Sequence, residues 1–222
     1  MSKVLQGLQT SLNSPRIYHV FRTLVAGDFD RWLLNEVVSP LPTDTILDIG
    51  CGTANILRTF KAGTYIGVDC NADYIEEARR RFGDRATFHV ASVNEVVPVE
   101  PGSFDTVLSI GVLHHLDDAN ALKLFKLAFR SLKNSGRLFT VDGCFNAGQT
   151  WLQRSILRLD RGNFIRTSNA YATLAQSVFP EVTTTVRNDL LRIPYTHLIM
   201  SCSKQALSKR IPLRRCEGND AT

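Results

Sequence analysis

Between positions 45 and 57 the chain reads TILDIGCGTANIL, a hydrophobic run that ends near an acid, Asp48, and turns through Gly50 and Gly52. Glycines at a strand-to-helix turn let the backbone come within contact distance of a ligand. A second acid, Asp69, closes the next β-rich run, 21 positions after Asp48. A carboxylate there can accept hydrogen bonds from the two hydroxyls of an adenosine ribose. Another set of residues could move protons. His114 and His115 follow directly on a β-rich run, and Asp142 ends another. A neutral imidazole or a carboxylate beside a reacting group can act as general base. Blander readings stay open: the glycine turn could be no more than a tight connection, the histidines pocket wall, and Asp142 a helix cap or a partner for a ligand's amino group. Asp117 and Asp118 are adjacent acids after a strand, which suits capping or solvation better than a metal site.

These residues need a scaffold that gathers strand ends. Short β-rich runs at 45–50, 64–69, 86–92, 104–111 and 136–142 alternate with helical patterns at 54–60, 72–82 and 120–132. Such alternation predicts a parallel α/β sheet with helices on its faces, and ligands of open parallel sheets sit beyond the carboxyl ends of the strands. In the third helical pattern Leu122, Phe125, Phe129 and Leu132 form the expected core stripe. After Asp142 the rhythm changes: an insertion at 143–169 carries the amphipathic stretch TWLQRSILRLD, and a helix at 170–179 ends at Pro180. Runs at 181–188 and 195–202 are joined too closely for a helical crossover and should pair antiparallel. At the start, Ser14-Pro15 reads as a helix N-terminus leading into two helices interrupted near Gly27. The organisation expected is one domain over 1–203, with a helical cap at 1–43, the insertion as a lid, and a polar basic tail at 204–222.

The 222 residues are 44% hydrophobic and carry a formal charge of +5. The basic surplus is local. Lys204, Lys209, Arg210, Arg214 and Arg215 exceed Glu217 and Asp220 by three in the tail, and Arg154, Arg158, Arg161 and Arg166 exceed Asp160 by three in the insertion. The remainder sums to −1 (5 − 3 − 3), which argues against a broad nucleic-acid-binding face. No apolar run approaches the ~18 residues that span a bilayer, and the expectation is a soluble, cytoplasmic protein. The five cysteines are scattered without a C-x-x-C pair, which suggests neither a disulfide framework nor a metal site.

The segments LDIGCGT (47–53), YIGVDCNADYIEEARRR (65–81), SFDTVLSIGVLHHLDD (103–118) and LKNSGRLFTVDG (132–143) together resemble the ordered motifs of the class I S-adenosylmethionine-dependent methyltransferases. The likeness covers about residues 44–143. It implies a Rossmann-like, doubly wound, mostly parallel seven-stranded sheet with an antiparallel last strand, and S-adenosylmethionine as cofactor. By that likeness Asp48, Gly50, Cys51 and Gly52 line the methionine half, Asp69 holds the ribose, Cys70 lies against an adenine face and Ala91, Ser92 and Val93 against its edge. Ile110 and Gly111 fall beside the sulfonium. Ala54 stands where the family usually has a third glycine and Ser92 where it often has aspartate, and both are tolerable changes. A nicotinamide fingerprint is disfavoured, because its G-x-G-x-x-G pattern needs glycine at position 55, which is asparagine.

The resemblance implies an enzyme that methylates an O or N atom of a small molecule, with His114, His115 and Asp142 as candidate bases. RNA or protein methylation and non-catalytic cofactor binding are the alternatives. Acceptor choice should lie outside the shared sheet, with Tyr18, His19 and Phe21 at the N-terminus and Trp151, Arg154, Arg158 and Phe164 in the insertion. Arg154 and Arg158, four apart on one helix face, could hold an anionic acceptor or be simply solvated.

Overall fold

A computed structural model describes residues 27–95, 98–160 and 162–205. The N-terminal helix start at Ser14-Pro15, Tyr18, His19, Phe21, Arg161 and the tail from 206 lie outside the described residues.

Seven strands form one sheet: β1 (Thr45–Ile49), β2 (Thr64–Asp69), β3 (Thr87–Val90), β4 (Phe104–Ile110), β5 (Leu132–Gly143), β6 (Glu181–Arg187) and β7 (His197–Ser203). Their order is β3-β2-β1-β4-β5-β7-β6. β1 through β5 pair in parallel, while β7 runs antiparallel to both β5 and β6. The chain winds outward from β1 to β3 and then returns to start again at β4, on the other side of β1. Connections leaving β1 and β4 therefore diverge, and a crevice opens between their carboxyl ends.

Strand side chains alternate between two apolar layers. Leu47 and Val107 face the layer under α3 (Asp118–Ser131) and α5 (Ser168–Gln176), whereas Ile46 and Leu108 face the layer under α1 (Phe29–Trp32) and α2 (Ala72–Phe82). α1 continues as π-helical turns over Leu33–Val38. α2 starts where the Asn71 side chain accepts from the Asp73 and Tyr74 N–H groups, and it buries Ile75, Ala78 and Phe82. α3 is capped by Asp117, which accepts from the Asn120 N–H. Its buried stripe is Ala121, Leu124, Phe125 and Ala128, rotated from the expected one: Leu122 and Phe129 are only half-buried and Leu132 opens β5. Both stripes share Phe125, and the one with alanines lets the helix lie closer to the sheet.

The helix expected at 54–60 is reduced to a 3-10 turn, Asn55–Arg58, which starts only after Ala54 because that residue takes φ +52°. α4 (Trp151–Leu159) begins with a Thr150–Gln153 capping box, as the amphipathic stretch anticipated. No described helix is long and apolar enough to cross a membrane.

Gly50 has φ +79°, and a Cβ there would overlap the Val112 side chain that follows β4. The two loops that flank the crevice thus touch through a missing side chain. Gly50→Ala should lower unfolding free energy by about 1–3 kcal/mol, measured by denaturant titration, and Val112→Ala in the same chain should return part of the loss. An unaltered stability in Gly50→Ala would show that the loops do not press on one another.

Candidate active site

The loop after β1 is held by backbone. Gly50 and Cys51 donate to the Val68 carbonyl at 2.7 and 3.0 Å. Gly52 donates to Asp69 Oδ2 at 2.9 Å, and Asn71 donates to Asp69 Oδ1 at 2.8 Å. One carboxylate therefore ties the ends of β1 and β2 together, with the Cys70 N–H as a third backbone donor to it. Burial pushes the Asp69 carboxyl above its usual range, against the backbone N–H groups that lower it. Asp48 is buried and accepts from the Tyr65 hydroxyl at 2.5 Å. Asn55 donates to Thr53 Oγ1 at 3.0 Å and accepts from Arg81 at 2.9 Å, which secures the far side of the loop.

A cavity of about 420 Å³ opens over this loop. Asp48, Gly50, Cys51 and Gly52 line it from β1, Ile110, Gly111 and His114 from β4, and Val141, Asp142 and Gly143 from β5. Gly52 and Gly111 have positive φ. A Cβ on Gly52 would meet nothing within 4 Å, and one on Gly111 only His114 Cε1 at 3.7 Å. Bare backbone thus faces open space at two strand ends, a cradle suited to a close-lying ligand. Asp69, the last residue of β2, and Cys70, Ala91, Ser92 and Val93, which follow β2 and β3, do not line this cavity. Cys70 is exposed there and Ala91 buried. The Ser92 N–H donates to Glu95 Oε2 at 2.6 Å, a carboxylate that the motif pattern did not single out.

The two histidines separate. His115 is exposed and outside the lining, with its ring 4.1 Å from that of His114. His114 is buried and lines the cavity, and its Nδ1 lies 2.9 Å from Asp142 Oδ1. The His114 backbone N–H also points at that oxygen, at 3.3 Å. Burial raises the Asp142 carboxyl, and the contact with His114 pulls it back down. Among the described residues Asp142 Oδ2 has no hydrogen-bond partner.

Residues beyond the motifs complete this corner. Asp160 Oδ1 lies 3.6 Å from His114 Nε2, and Asp160 Oδ2 accepts from the Tyr195 hydroxyl at 2.8 Å. Burial, and next the charge of Asp160, pushes the Tyr195 hydroxyl well above its ordinary pKa. Gly143 and Gly162 make room: a Cβ at 143 would overlap the Tyr195 hydroxyl, and one at 162 would overlap the His114 ring. Tyr195 and His197 were read only as strand residues, and Asp160 as a lone acid among arginines. A usable signal was the aspartate two positions before Gly162, because Asp160 Oδ1 also takes the Gly162 N–H at 2.8 Å.

The insertion does two jobs where the sequence suggested one. Ile156 and Leu159 of α4 line the cavity, as a lid would. Past α4, however, Phe164 donates to the His114 carbonyl at 3.0 Å, and Arg166 donates to the Leu113 and Leu116 carbonyls and pairs with Asp118. Removing 151–166 would therefore unclamp the His114 turn as well as the lid. Arg154 and Arg158 are exposed and outside the lining, and Arg154 lies over the Phe145 ring. Trp151 and Phe164 are exposed too.

His197 lines the far wall between Phe29 and Tyr195, and its Nδ1 has no partner among the described residues. Burial, then the nearby His114, lowers its pKa from 6.5 to about 4. Between those values the unfolded chain binds a proton that the native state refuses, so this residue makes the fold less stable as pH falls through that window. The stability of the wild type relative to His197→Gln should drop by roughly 2–4 kcal/mol from pH 7 to pH 4. Parallel unfolding profiles for the two proteins would contradict it.

Residues 46–136 match the family model of a methyltransferase domain. An uncharacterized methyltransferase of Geobacillus thermodenitrificans is 25% identical over 60% of this chain and 61% of its own length. A tRNA U34 carboxymethyltransferase of Shewanella sp. strain ANA-3 is 34% identical over 35% of this chain and 26% of its own. The chain thus spans less than two thirds of these relatives. Among solved structures, the geranyl diphosphate C-methyltransferase of Streptomyces coelicolor superposes with TM-score 0.62 at 18% identity, covering 79% of each chain. Matched segment and strand order agree: this chain has the fold of the class I S-adenosylmethionine-dependent methyltransferases, and its residues 46–136 match the methyltransferase-domain model.

Proposed function

We propose that this chain transfers a methyl group from S-adenosylmethionine to an O or N atom of a small molecule, with His114 as the base and Asp142 as its partner. The observation that carries this reading is the 2.9 Å contact between His114 Nδ1 and Asp142 Oδ1 inside the cavity at the β4 and β5 ends. The residues present fit the cofactor. Gly52 and Gly111 offer bare backbone, Asp48 a buried carboxylate at the cavity wall, and Asp69 a carboxylate fixed by backbone N–H groups at the end of β2.

When bound, the cofactor supplies an electrophilic methyl carbon that bonds to the acceptor atom as its bond to sulfur breaks, leaving S-adenosylhomocysteine and a proton from the acceptor. The protein's part is alignment and removal of that proton. An ionised Asp142 can only accept hydrogen bonds, so it keeps the proton of neutral imidazole on Nδ1 and puts the basic lone pair on Nε2. Once Nε2 takes the proton, His114 is a cation between Asp142 and Asp160, whose oxygens stand 2.9 and 3.6 Å from its two nitrogens. Both favour the charged form. His115, exposed and outside the cavity, only packs its ring against that of His114 in this reading.

Small molecules are favoured as acceptors by the walls: Ile156 and Leu159 of α4 and Leu191 and Ile193 before β7 hem in a cavity of about 420 Å³. Transfer of labelled methyl from the cofactor should appear in a metabolite fraction, and not in RNA or protein. With the acceptor found, His114→Gln should lower turnover about 10²–10⁴-fold and abolish the limb in which rate rises with pH. Label appearing in RNA or protein would overturn the small-molecule reading, and a loss below tenfold in His114→Gln would remove the base assignment.

A further inference from the structure

The outer face of α4 has no part in the site just described. Trp151 is 78% exposed there, Leu152 43% and Leu159 59%. At about 100° of turn per residue these side chains and Ser155 share an arc of roughly 100°, and Leu157, on the opposite side, is buried. An apolar strip therefore points outward along the helix. Arg154 and Arg158, exposed and one turn apart, border the strip beside Trp151, whereas Ile156, past its other edge, lines the cavity. Leu159 belongs to both surfaces, because it lines the cavity and is exposed. The strip thus runs to the cavity rim.

The helix is held so that it presents this strip. At its start Thr150 and Gln153 form the capping box, and Gln149 donates to the Cys144 carbonyl at 2.9 Å. At its end Asp160 accepts from the Tyr195 hydroxyl and from the Gly162 N–H, both at 2.8 Å. The Arg154 guanidinium lies 5.6 Å from the centre of the Phe145 ring. A surface fixed beforehand loses little conformational freedom on binding.

Trp and Leu on one face with Arg at its border is the composition of helices that lie in the headgroup region of a bilayer, where the apolar side chains meet acyl chains and the cations meet anionic headgroups. A protein seated on the strip would cover the cavity rim at Leu159. A bilayer would instead oppose that rim with a fluid apolar phase, continuous with the aliphatic wall at Ile156 and Leu159. We propose that α4 docks the protein on an anionic lipid bilayer, with Trp151, Leu152 and Leu159 in the interface and Arg154 and Arg158 on lipid phosphates. This goes beyond the methyltransferase reading and does not depend on it.

The test is flotation of the full chain with vesicles of phosphatidylcholine alone and of equimolar phosphatidylcholine and phosphatidylglycerol. Partitioning onto the mixed vesicles should be at least about tenfold stronger than onto phosphatidylcholine, and should fall as salt is raised. Trp151→Gln combined with Leu152→Gln alters exposed side chains outside the cavity lining. The melting temperature should therefore hold while partitioning onto the mixed vesicles drops about tenfold or more. Arg154→Gln with Arg158→Gln should weaken the same partitioning severalfold. In Trp32→Phe, Trp151 is the remaining tryptophan, and its emission should shift to the blue on mixing with the same vesicles. Should Trp32→Phe not fold, the flotation comparison decides by itself. Failure to float with the mixed vesicles overturns the proposal, as does undiminished flotation of the folded Trp151 and Leu152 variant or an unmoved Trp151 emission. Self-association in lipid-free solution that this variant abolishes would assign the strip to a second copy of the chain, and would overturn it too.

Discussion

Asp142 is a carboxylate with 3% of its surface exposed at the end of a central strand. A buried charge is tolerated only where hydrogen bonds and a partner compensate its lost hydration. Here the partner is His114, which reaches the same oxygen with Nδ1 and with its backbone N–H. That double contact fixes the turn after β4, and much of the site follows from it. The turn brings Val112 against Gly50, Gly162 against the imidazole, and the carbonyls of Leu113, His114 and Leu116 toward Phe164 and Arg166. The insertion is anchored to the histidine turn rather than draped over it.

The charge of the molecule is partitioned by the same arrangement. The sequence carries +5 overall, yet the wall of the cavity carries four aspartates and no permanent cation among the described residues. The carboxylates of Asp142 and Asp160 act on the His114 imidazole at short range and in partial desolvation. His197 adds no positive charge at neutral pH, because burial holds its pKa near 4.

Much of the sheet was legible because its signals are local. Runs of β-branched and aliphatic residues end at acids and glycines, and β2 was bounded to the residue. The antiparallel pairing of β6 and β7 followed from a connection too short to cross over. Less legible was anything set by a neighbour. That the helical turn starts only after Ala54 depends on a left-handed φ that alanine does not advertise. The α3 stripe depends on which of two overlapping faces the sheet accepts. In the site, Asp48, Gly50, Cys51, Gly52, Ile110, Gly111, His114 and Asp142 were brought together, since strand ends gather by topology. Asp160, Tyr195 and His197 were missed because contacts across 35 and more positions leave no spacing pattern, and only Gly143 and Gly162 hinted at the close approach they allow. Nor could the order of residues tell His114 from His115. One is buried on Asp142 and the other is exposed.

The cofactor assignment rests on Asp69, which holds the Gly52 loop and presents a carboxylate at the end of β2. Calorimetric titration of S-adenosylhomocysteine into the wild type and into Asp69→Ala tests it most directly. Saturable binding is expected in the wild type, weakened by about 1.5–3 kcal/mol in the variant, the usual worth of hydrogen bonds to a charged group. Equal affinity in both proteins, or no binding to the wild type, would contradict the assignment.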